Sequence, residues 1–472
     1  MPQQRFRRMR VISALAALLL SPALIAFAAS LIPGTPVSIA SVNGVINSIA
    51  ILDSSHVVVA YQDTTNSNRP KVAICSISGT TPTCDTPVTV AAVTTSALGV
   101  TALDSTHIAV AYRDNTNGNV SKVVICSVSG TTPTCDSPVT FAAVVSVNYF
   151  ASALDSTHVG ISYSDANNSG HPTVVICSVS GTTPTCGTPV SVASVNSDHQ
   201  SAVALDSTHF AVVYRDQSNG QRATVAICSI SGITPTCGTT VASSVAGLTP
   251  SLARLDDTHF ALAYRNFTAS PSAPTVQLCS VSGTTPSCGA AAAIAPNSSV
   301  YTSIIAIDST HLAVAYQDLT NSNRPTVVTC FISGSTFSCD PATVLSAVAS
   351  TYTAATVVDS THIAVMYQDT TNGSHPTLVV SAYAPISAPT VTTQSASSIS
   401  RTTARANGNI TSDGGATITV RGFTYGTSAD LTSGTATTTD SGSYGAGAFT
   451  GSLAGLTCNT MYYTRSYATN SA

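Results

Sequence analysis

Ala102 to Asp114 reads ALDSTHIAVAYRD, and the chain carries seven close copies of it. The histidines of the D-[SD]-[ST]-H core are His56, His107, His158, His209, His259, His311 and His362, at successive gaps of 51, 51, 51, 50, 52 and 51 residues. A tyrosine stands five places after each: Tyr61, Tyr112, Tyr163, Tyr214, Tyr264, Tyr316 and Tyr367. Self-similarity at a fixed period near 50 residues marks an architecture in which each copy is one supersecondary unit.

Working outward through the second copy, LGVTALD is a short apolar run and DSTH a turn, with Asp104 placed to accept backbone hydrogen bonds. HIAVAY is β-rich, RDNTNGNVS is a polar loop and KVVICSVS a third strand. GTTPTCDSP is a tight connection and PVTFAAV a fourth strand. Four short strands per unit describe a β-meander, and seven meanders predict an all-β fold of seven propeller blades around one axis. The seventh copy ends in PTLVVSAYA (Pro376–Ala384) and lacks the fourth strand. PGTPVSIASV (Pro33–Val42) matches the fourth-strand text DTPVTVAAV (Asp85–Val93). The N-terminal strand is therefore expected to complete the last blade and leave no open edge. An open solenoid, the rival, does not need that strand to reappear at the other end.

Twelve of thirteen cysteines form six pairs at one spacing: Cys75/Cys84, Cys126/Cys135, Cys177/Cys186, Cys228/Cys237, Cys279/Cys288 and Cys330/Cys339. Each frames a Gly/Pro turn or a near variant of it, so disulfides across a hairpin are expected, in an oxidising compartment. Zinc is the rival, but the spacing is wrong and no histidine lies between the partners. Export agrees with the N-terminus. Arg5, Arg7, Arg8 and Arg10 precede an apolar run, and Ala26-Phe27-Ala28 offers a cleavage site, so residues 1–29 read as a signal peptide rather than a retained anchor. Cleavage removes four arginines and no acid, which doubles the formal charge of −4. No later segment is apolar enough to span a bilayer. Only 8% of residues are charged and 43% are hydrophobic, too apolar for disorder. There is no tryptophan and no glutamate; lysine is confined to Lys71 and Lys122. No basic patch suggests nucleic acid.

The repeats over residues 30–384 resemble those of bacterial extracellular β-propellers and, more loosely, sialidase-like propellers. They do not fit WD repeats, whose Trp-Asp pair is absent. After a linker at 385–390, residues 391–472 carry TARANGNI, RGFTYGTS and YYTRSYATNS. This segment resembles a bacterial fibronectin type III-like domain. The resemblance implies a small β-sandwich with a corner tyrosine, here Tyr462 or Tyr463; the sequence is expected to depart from it in lacking the final strand after YATNSA. Cys458 is an odd cysteine where that family often has proline.

The seven histidines are expected to close identical turns rather than to form a metal ring. The tyrosines are expected between blades, their hydroxyls on neighbouring backbone. The loops after each second strand are rich in oxygen ligands: Asp63 and Asn66, Asp114 and Asn117, Asp165 and Asn168, Asp216 and Asn219, Asp318 and Asn321, Asp369 and Asn372. Such side chains hold sugars or calcium, and they also make turns on their own backbone. Between tyrosine and aspartate sit Gln62, Arg113, Ser164, Arg215, Arg265, Gln317 and Gln368. The three arginines suit a carboxylate. The Tyr/Glu pair that a sialidase requires is missing, and no copy carries an extra acid cluster. The fifth copy departs most, with Asp257, Asn266 and NFTASPSAP.

Without catalytic or metal residues, the expected function is a secreted or surface-bound, monomeric binding or adhesion protein. Its loops would contact an extracellular glycan or a surface protein, with calcium as an optional ion. An Asp-dependent polysaccharide-active enzyme and a passive spacer are the alternatives.

Overall fold

The computed structural model describes residues 29–385, 388–415, 417–432 and 434–470. The signal-peptide reading lies almost wholly outside them. One compact unit spans Leu31–Tyr383, and a second contains Ala384–Ala472. Among the described residues the regular structure is strand, apart from one 3-10 turn at Ala166–Asn168. No helix there is long and apolar enough to cross a membrane.

Each repeat forms an antiparallel sheet. In the second copy, Leu98–Asp104 pairs with His107–Asp114, which pairs with Val120–Ser129. The fourth strand comes in two pieces, Thr132–Cys135 and Val139–Ala142, both paired to Val120–Ser129. Pro138, with no N–H to give, sits in the break. Val241–Arg254 is one long strand serving two copies. Its first part pairs with Arg222–Ser231 and its last part with His259–Asn266. The seventh copy supplies Ser350–Asp359, His362–Asp369 and His375–Pro385, and takes its outer strands from the chain's start, Ala29–Pro33 and Val37–Ser38. The Gly34 amide donates to the Val380 carbonyl (2.9 Å) and the Ile39 amide to the Pro376 carbonyl (2.8 Å). A Cβ at Gly34 would lie 2.2 Å from the Thr80 carbonyl oxygen, so this approach requires glycine.

The second strand is apolar on both faces because a neighbouring sheet covers each face. Ile108, Ala109, Val110, Ala111 and Tyr112 are all fully buried. The hydrophobic clusters join successive copies: Val58 and Ile74 pack with Leu98, Val110 and Tyr112. The seventh and first copies share a cluster too, with Val358, Met366 and Val380 against Val57, Tyr61 and Cys75. Each first strand packs on the next, and Ser350–Asp359 packs on Gly44–Asp53. Hydroxyls tie six of these junctions. Ser48, Thr101, Ser152, Ser201, Ser251 and Ser303 accept from the amides of Val100, Ala153, Ala204, Leu252, Ile304 and Ala355 at 3.1–3.3 Å. The seven first strands together line a cavity of about 450 Å³.

All six cysteine pairs are disulfides: Cys75–Cys84, Cys126–Cys135, Cys177–Cys186, Cys228–Cys237, Cys279–Cys288 and Cys330–Cys339, with Cα–Cα separations of 3.8–4.0 Å. Each joins two directly opposed residues, one on the third strand and one ending the first piece of the fourth. With both sulfurs of every pair bonded to each other, zinc has no ligands there. The two halves of each bridge differ in environment. Cys75, Cys126, Cys177, Cys228, Cys279 and Cys330 are buried among the apolar side chains of the third strand. Cys84, Cys135, Cys186, Cys237, Cys288 and Cys339 are only partly buried, because the short outer strand has no further strand beyond it. The bridges thus pin the edge of each sheet to its core.

The C-terminal unit holds two three-stranded sheets. One is Thr390–Ser397, Ala404–Ser412 and Gly447–Leu453; the other is Ala436–Tyr444, Ile418–Gly426 and Tyr463–Thr469. Ala406, Ile410, Ile418, Phe423, Phe449 and Leu453 form their shared core. Of the two candidate corner tyrosines, Tyr462 makes the contact: its hydroxyl accepts the Thr457 amide at 3.0 Å. Cys458 is free and exposed.

Candidate functional site

The strand ends of the repeat unit form two rims. One carries the seven D-x-x-H turns between first and second strands. The other carries the Asp/Asn loops between second and third strands, together with the start of each first strand.

The histidine rim is uniform. In each turn the histidine Nδ1 lies 2.8–3.1 Å from a carboxylate oxygen of its own aspartate, as in Asp53–His56, Asp104–His107 and Asp359–His362. The same carboxylate accepts a backbone amide and a hydroxyl. Thr106 gives both to Asp104, at 2.6 and 2.7 Å. Partial burial pushes the Asp104 carboxyl up, but the Thr106 hydroxyl and amide and the His107 ring outweigh it and hold the group below its ordinary value. With aspartate and hydroxyl both on Nδ1, the histidine closes the turn. Among the described residues no three His, Cys or Asp side chains are grouped as a metal site.

On the opposite rim the predicted loop residues are found in turns. The Asp63 Oδ1 accepts the Thr65 amide and hydroxyl, at 3.1 and 2.7 Å. Asp318 and Asp369 do the same with Thr320 and Thr371. Asp114 accepts the amides of Thr116 and Asn117 and pairs with Lys122 at 2.9 Å. Asp165 and Asp216 accept the amides of Asn167 and Ser218. Asn66, Asn219, Asn321 and Asn372 give their backbone amides to the carbonyls of Asp63, Asp216, Asp318 and Asp369. The Asn168 side chain donates to the Ser191 hydroxyl.

The three arginines do not converge. Arg113 donates to the Asn115 side chain (2.7 Å) and the Ser146 carbonyl (3.2 Å). Arg215 forks onto Asp198 through Nε and Nη2. Among the described residues Arg265 makes no ion pair, and its buried Nε has no acceptor. Arg215 and Arg265 line one cavity of about 340 Å³ with His199, Leu248, Thr249, Val300, Tyr301, Gln317 and Thr351. The bridged cysteines belong to neither cavity: Cys84, Cys135, Cys186, Cys237, Cys288 and Cys339, like their partners, are absent from both linings. They link the third strand of each sheet to its outer strand.

Six first strands carry a β-bulge near their start, between Val45/Ser48, Val147/Phe150, Asp198/Ser201, Leu248/Ser251, Val300/Ser303 and Thr351/Ala354. A bulge re-aims side chains. Five residues within these bulges hold positive φ: Asn148 (57°), His199 (45°), Thr249 (47°), Tyr301 (52°) and Tyr352 (51°). For threonine and tyrosine this conformation is strained, at about 1–3 kcal/mol each. The rings of Tyr301 and Tyr352 lie 4.9 Å apart. Sequence reading missed these positions. Their signal was variation: Asn, His, Thr and Tyr succeed one another at one place in an otherwise repeated text.

The tyrosines of the repeat are buried between sheets as expected. Their hydroxyls differ from expectation. Those of Tyr112 and Tyr316 have no partner, and that of Tyr264 donates to the Gln277 side chain at 3.1 Å.

No family model matches the chain, and no curated protein is similar enough to count as a relative. Among solved structures, a Hadza microbial sialidase is similar at 13% identity and TM-score 0.43, covering 69% of this chain and 73% of that one. SapL1 lectin, solved with alpha methyl fucoside, is similar at 15% identity and TM-score 0.40, covering 65% and 98%. The NanB sialidase of Streptococcus pneumoniae gives 11% identity and TM-score 0.43, covering 74% and 69%. Likeness at this level assigns no activity, ligand or residue role.

Proposed function

We propose that the chain is an exported, monomeric glycan-binding or adhesion protein. In this reading residues 30–384 form a seven-bladed β-propeller closed by the N-terminal strand, and residues 391–472 a fibronectin type III-like module. Closure is supported by the shared core of the seventh and first repeats and by the pairing of Val37–Ser38 with the seventh copy's third strand. Six disulfides fit an extracellular setting. The ligand would sit on the bulged rim. Arg113, Arg215, Arg265 and the Asp/Asn loops Asp63/Asn66, Asp114/Asn117, Asp165/Asn168, Asp216/Asn219, Asp318/Asn321 and Asp369/Asn372 share that rim. The aspartates hold it in shape, with calcium as an optional addition.

One observation carries the reading. Strained, polar and aromatic residues occupy the first-strand bulges beside a cavity, and strain of this kind concentrates at ligand sites. The tyrosine pair, its rings 4.9 Å apart and tilted by 39°, offers amphipathic aromatic faces against which a sugar ring packs. No carboxylate lines the cavity, whereas most glycoside hydrolysis uses two acids flanking the bond, and the tyrosine nucleophile of a sialidase is paired with a glutamate, which this chain lacks. This favours binding over catalysis.

The test is a glycan and cell-wall-polymer screen on oxidised protein, with and without calcium. It compares the wild type with Tyr301→Ala and Asp114→Ala. Binding lost in Tyr301→Ala is the expected result. Calcium-dependent binding lost only in Asp114→Ala would move the site to the loops. Turnover of a bound polysaccharide would establish the enzyme alternative, and a blank across the screen would leave a spacer.

A further inference from the structure

We infer that the ligand carries a carboxylate and that Arg265 receives it. This rests on the glycan-binding reading above and adds its chemical class. The argument comes from a broken repeat. Arg215 and Arg265 occupy equivalent positions in the fourth and fifth copies. Opposite Arg215, in register across the sheet, stands Asp198; opposite Arg265 stands Leu248. Directly after Arg215 comes Asp216; directly after Arg265 comes Asn266, the one copy in which that aspartate is replaced. Both acids that flank Arg215 are therefore gone around Arg265.

The charge balance follows. The Asp198 carboxylate is taken up by the Arg215 fork, by His199 at 3.0 Å and by Gln217 at 2.7 Å, and burial notwithstanding, these partners hold it far below the ordinary carboxylate range. It has nothing left for Arg265. Arg265 is half-buried, its Nε is shielded from solvent without a partner, and no acid lines its cavity. A partly buried cation without an anion is unfavourable, so a chain that keeps one there retains it for an anion that arrives from outside. Arginine presents two parallel N–H groups, which match a carboxylate. Tyr301 lines the same cavity, and the Tyr352 ring lies 4.9 Å from it in a tilted arrangement. A cation fork next to an aromatic surface suits an acidic pyranose: one carboxylate and one apolar ring face.

The experiment measures dissociation constants by titration calorimetry for tri-galacturonate and sialyllactose. The neutral controls are galactotriose and lactose. Each is run on wild type, Arg265→Gln and Leu248→Asp, with circular dichroism confirming that each variant folds. Leu248→Asp restores the arrangement around Arg215 and should satisfy Arg265 internally. The expected result is that at least one acidic sugar binds wild type about tenfold or more tighter than its neutral control, and that both variants lose this margin. Which acid binds tells a uronate from a sialoside. Equal affinity for acidic and neutral sugars, both lost in Tyr301→Ala, would overturn the carboxylate while leaving the glycan site standing. A margin that survives in Leu248→Asp would also overturn it. No binding by any of the four would overturn the carboxylate, and the wider glycan screen would then decide the glycan site.

Discussion

The two rims of the repeated unit are built from the same seven copies and have opposite characters. On the histidine rim every copy repeats one hydrogen-bond pattern, carboxylate to amide, hydroxyl and imidazole. On the other rim the corresponding strand start carries Asn148, His199, Thr249, Tyr301 or Tyr352, each in a left-handed conformation. The first rim repeats what the fold needs. The second departs from the repeat and accepts strain to do so. Within one chain, repetition marks architecture, and departure is where the proposed ligand site falls.

The largest test of that contrast sets two tyrosines against each other. Tyr112 is fully buried between sheets, and Tyr352 is 37% exposed on the bulged rim. Tyr112→Ala opens a cavity in a close-packed core and should cost about 3–5 kcal/mol in urea unfolding. Tyr352→Ala should cost less than about 1 kcal/mol. Similar losses at both would mean that the bulged rim is architectural too.

A disulfide gives the next effect. Cys126 and Cys135 close a short hairpin at the outer strands, away from the bulges. The Cys126→Ser/Cys135→Ser double variant should lose about 2–3 kcal/mol by removing a constraint on the unfolded chain. Ligand affinity should not move. A change in affinity would show that the outer strands and the bulged rim are coupled.

Threonines on the two rims should respond with opposite signs. Thr106 gives its hydroxyl and amide to Asp104. Thr106→Gly keeps the amide but removes the hydroxyl bond and adds freedom to the unfolded chain, and should destabilise by about 1 kcal/mol. Thr249 holds φ 47°, which glycine adopts without strain. Thr249→Gly should stabilise by about 1 kcal/mol while weakening any ligand of the cavity, the exchange expected where function has been bought with strain.

These contrasts explain what the sequence could and could not reveal. Period, hairpins, disulfide pairing and the reuse of Pro33–Val42 beside the seventh copy were legible because each rests on local text that recurs. The turn role of the D-x-x-H aspartates was legible for the same reason. The site was less so. Arg113, Arg215 and Arg265 look alike in sequence, and only cross-strand register reveals that Asp198 faces one and Leu248 another. The bulges were invisible because a register shift leaves no mark on alternation in so short a strand.

Acid should sharpen the contrast by acting on the uniform rim first. All seven turn carboxyls are held below their ordinary value, with partial burial opposing and hydroxyl, amide and histidine contacts prevailing. In the folded state they bind fewer protons than in the unfolded chain. Their contribution is thus complete above about pH 4 and is lost as pH falls through the lowered values. Each group is partly exposed, so each effect is small, but seven act in parallel. Thermal melts between pH 5 and 2 should show stability falling with pH, and Asp104→Asn should flatten the slope by roughly a seventh of the turn carboxyls' share. An unchanged slope would remove these turns from the acid response.

The smallest expected effect separates ring from hydroxyl inside the tyrosine repeat. Tyr112 and Tyr264 occupy the same place in their copies and are equally buried. The Tyr112 hydroxyl has no partner, and that of Tyr264 donates to Gln277. Removing an unsatisfied buried hydroxyl relieves a desolvation cost, while removing a satisfied one forfeits a bond and leaves the Gln277 oxygen alone. Tyr112→Phe should therefore be neutral or stabilise by up to about 1 kcal/mol, and Tyr264→Phe should destabilise by about 1 kcal/mol. Paired denaturant curves read the difference directly. If the two variants agree, the hydroxyl has no bearing on stability in either copy, and the seven tyrosines are kept for the volume of the ring alone.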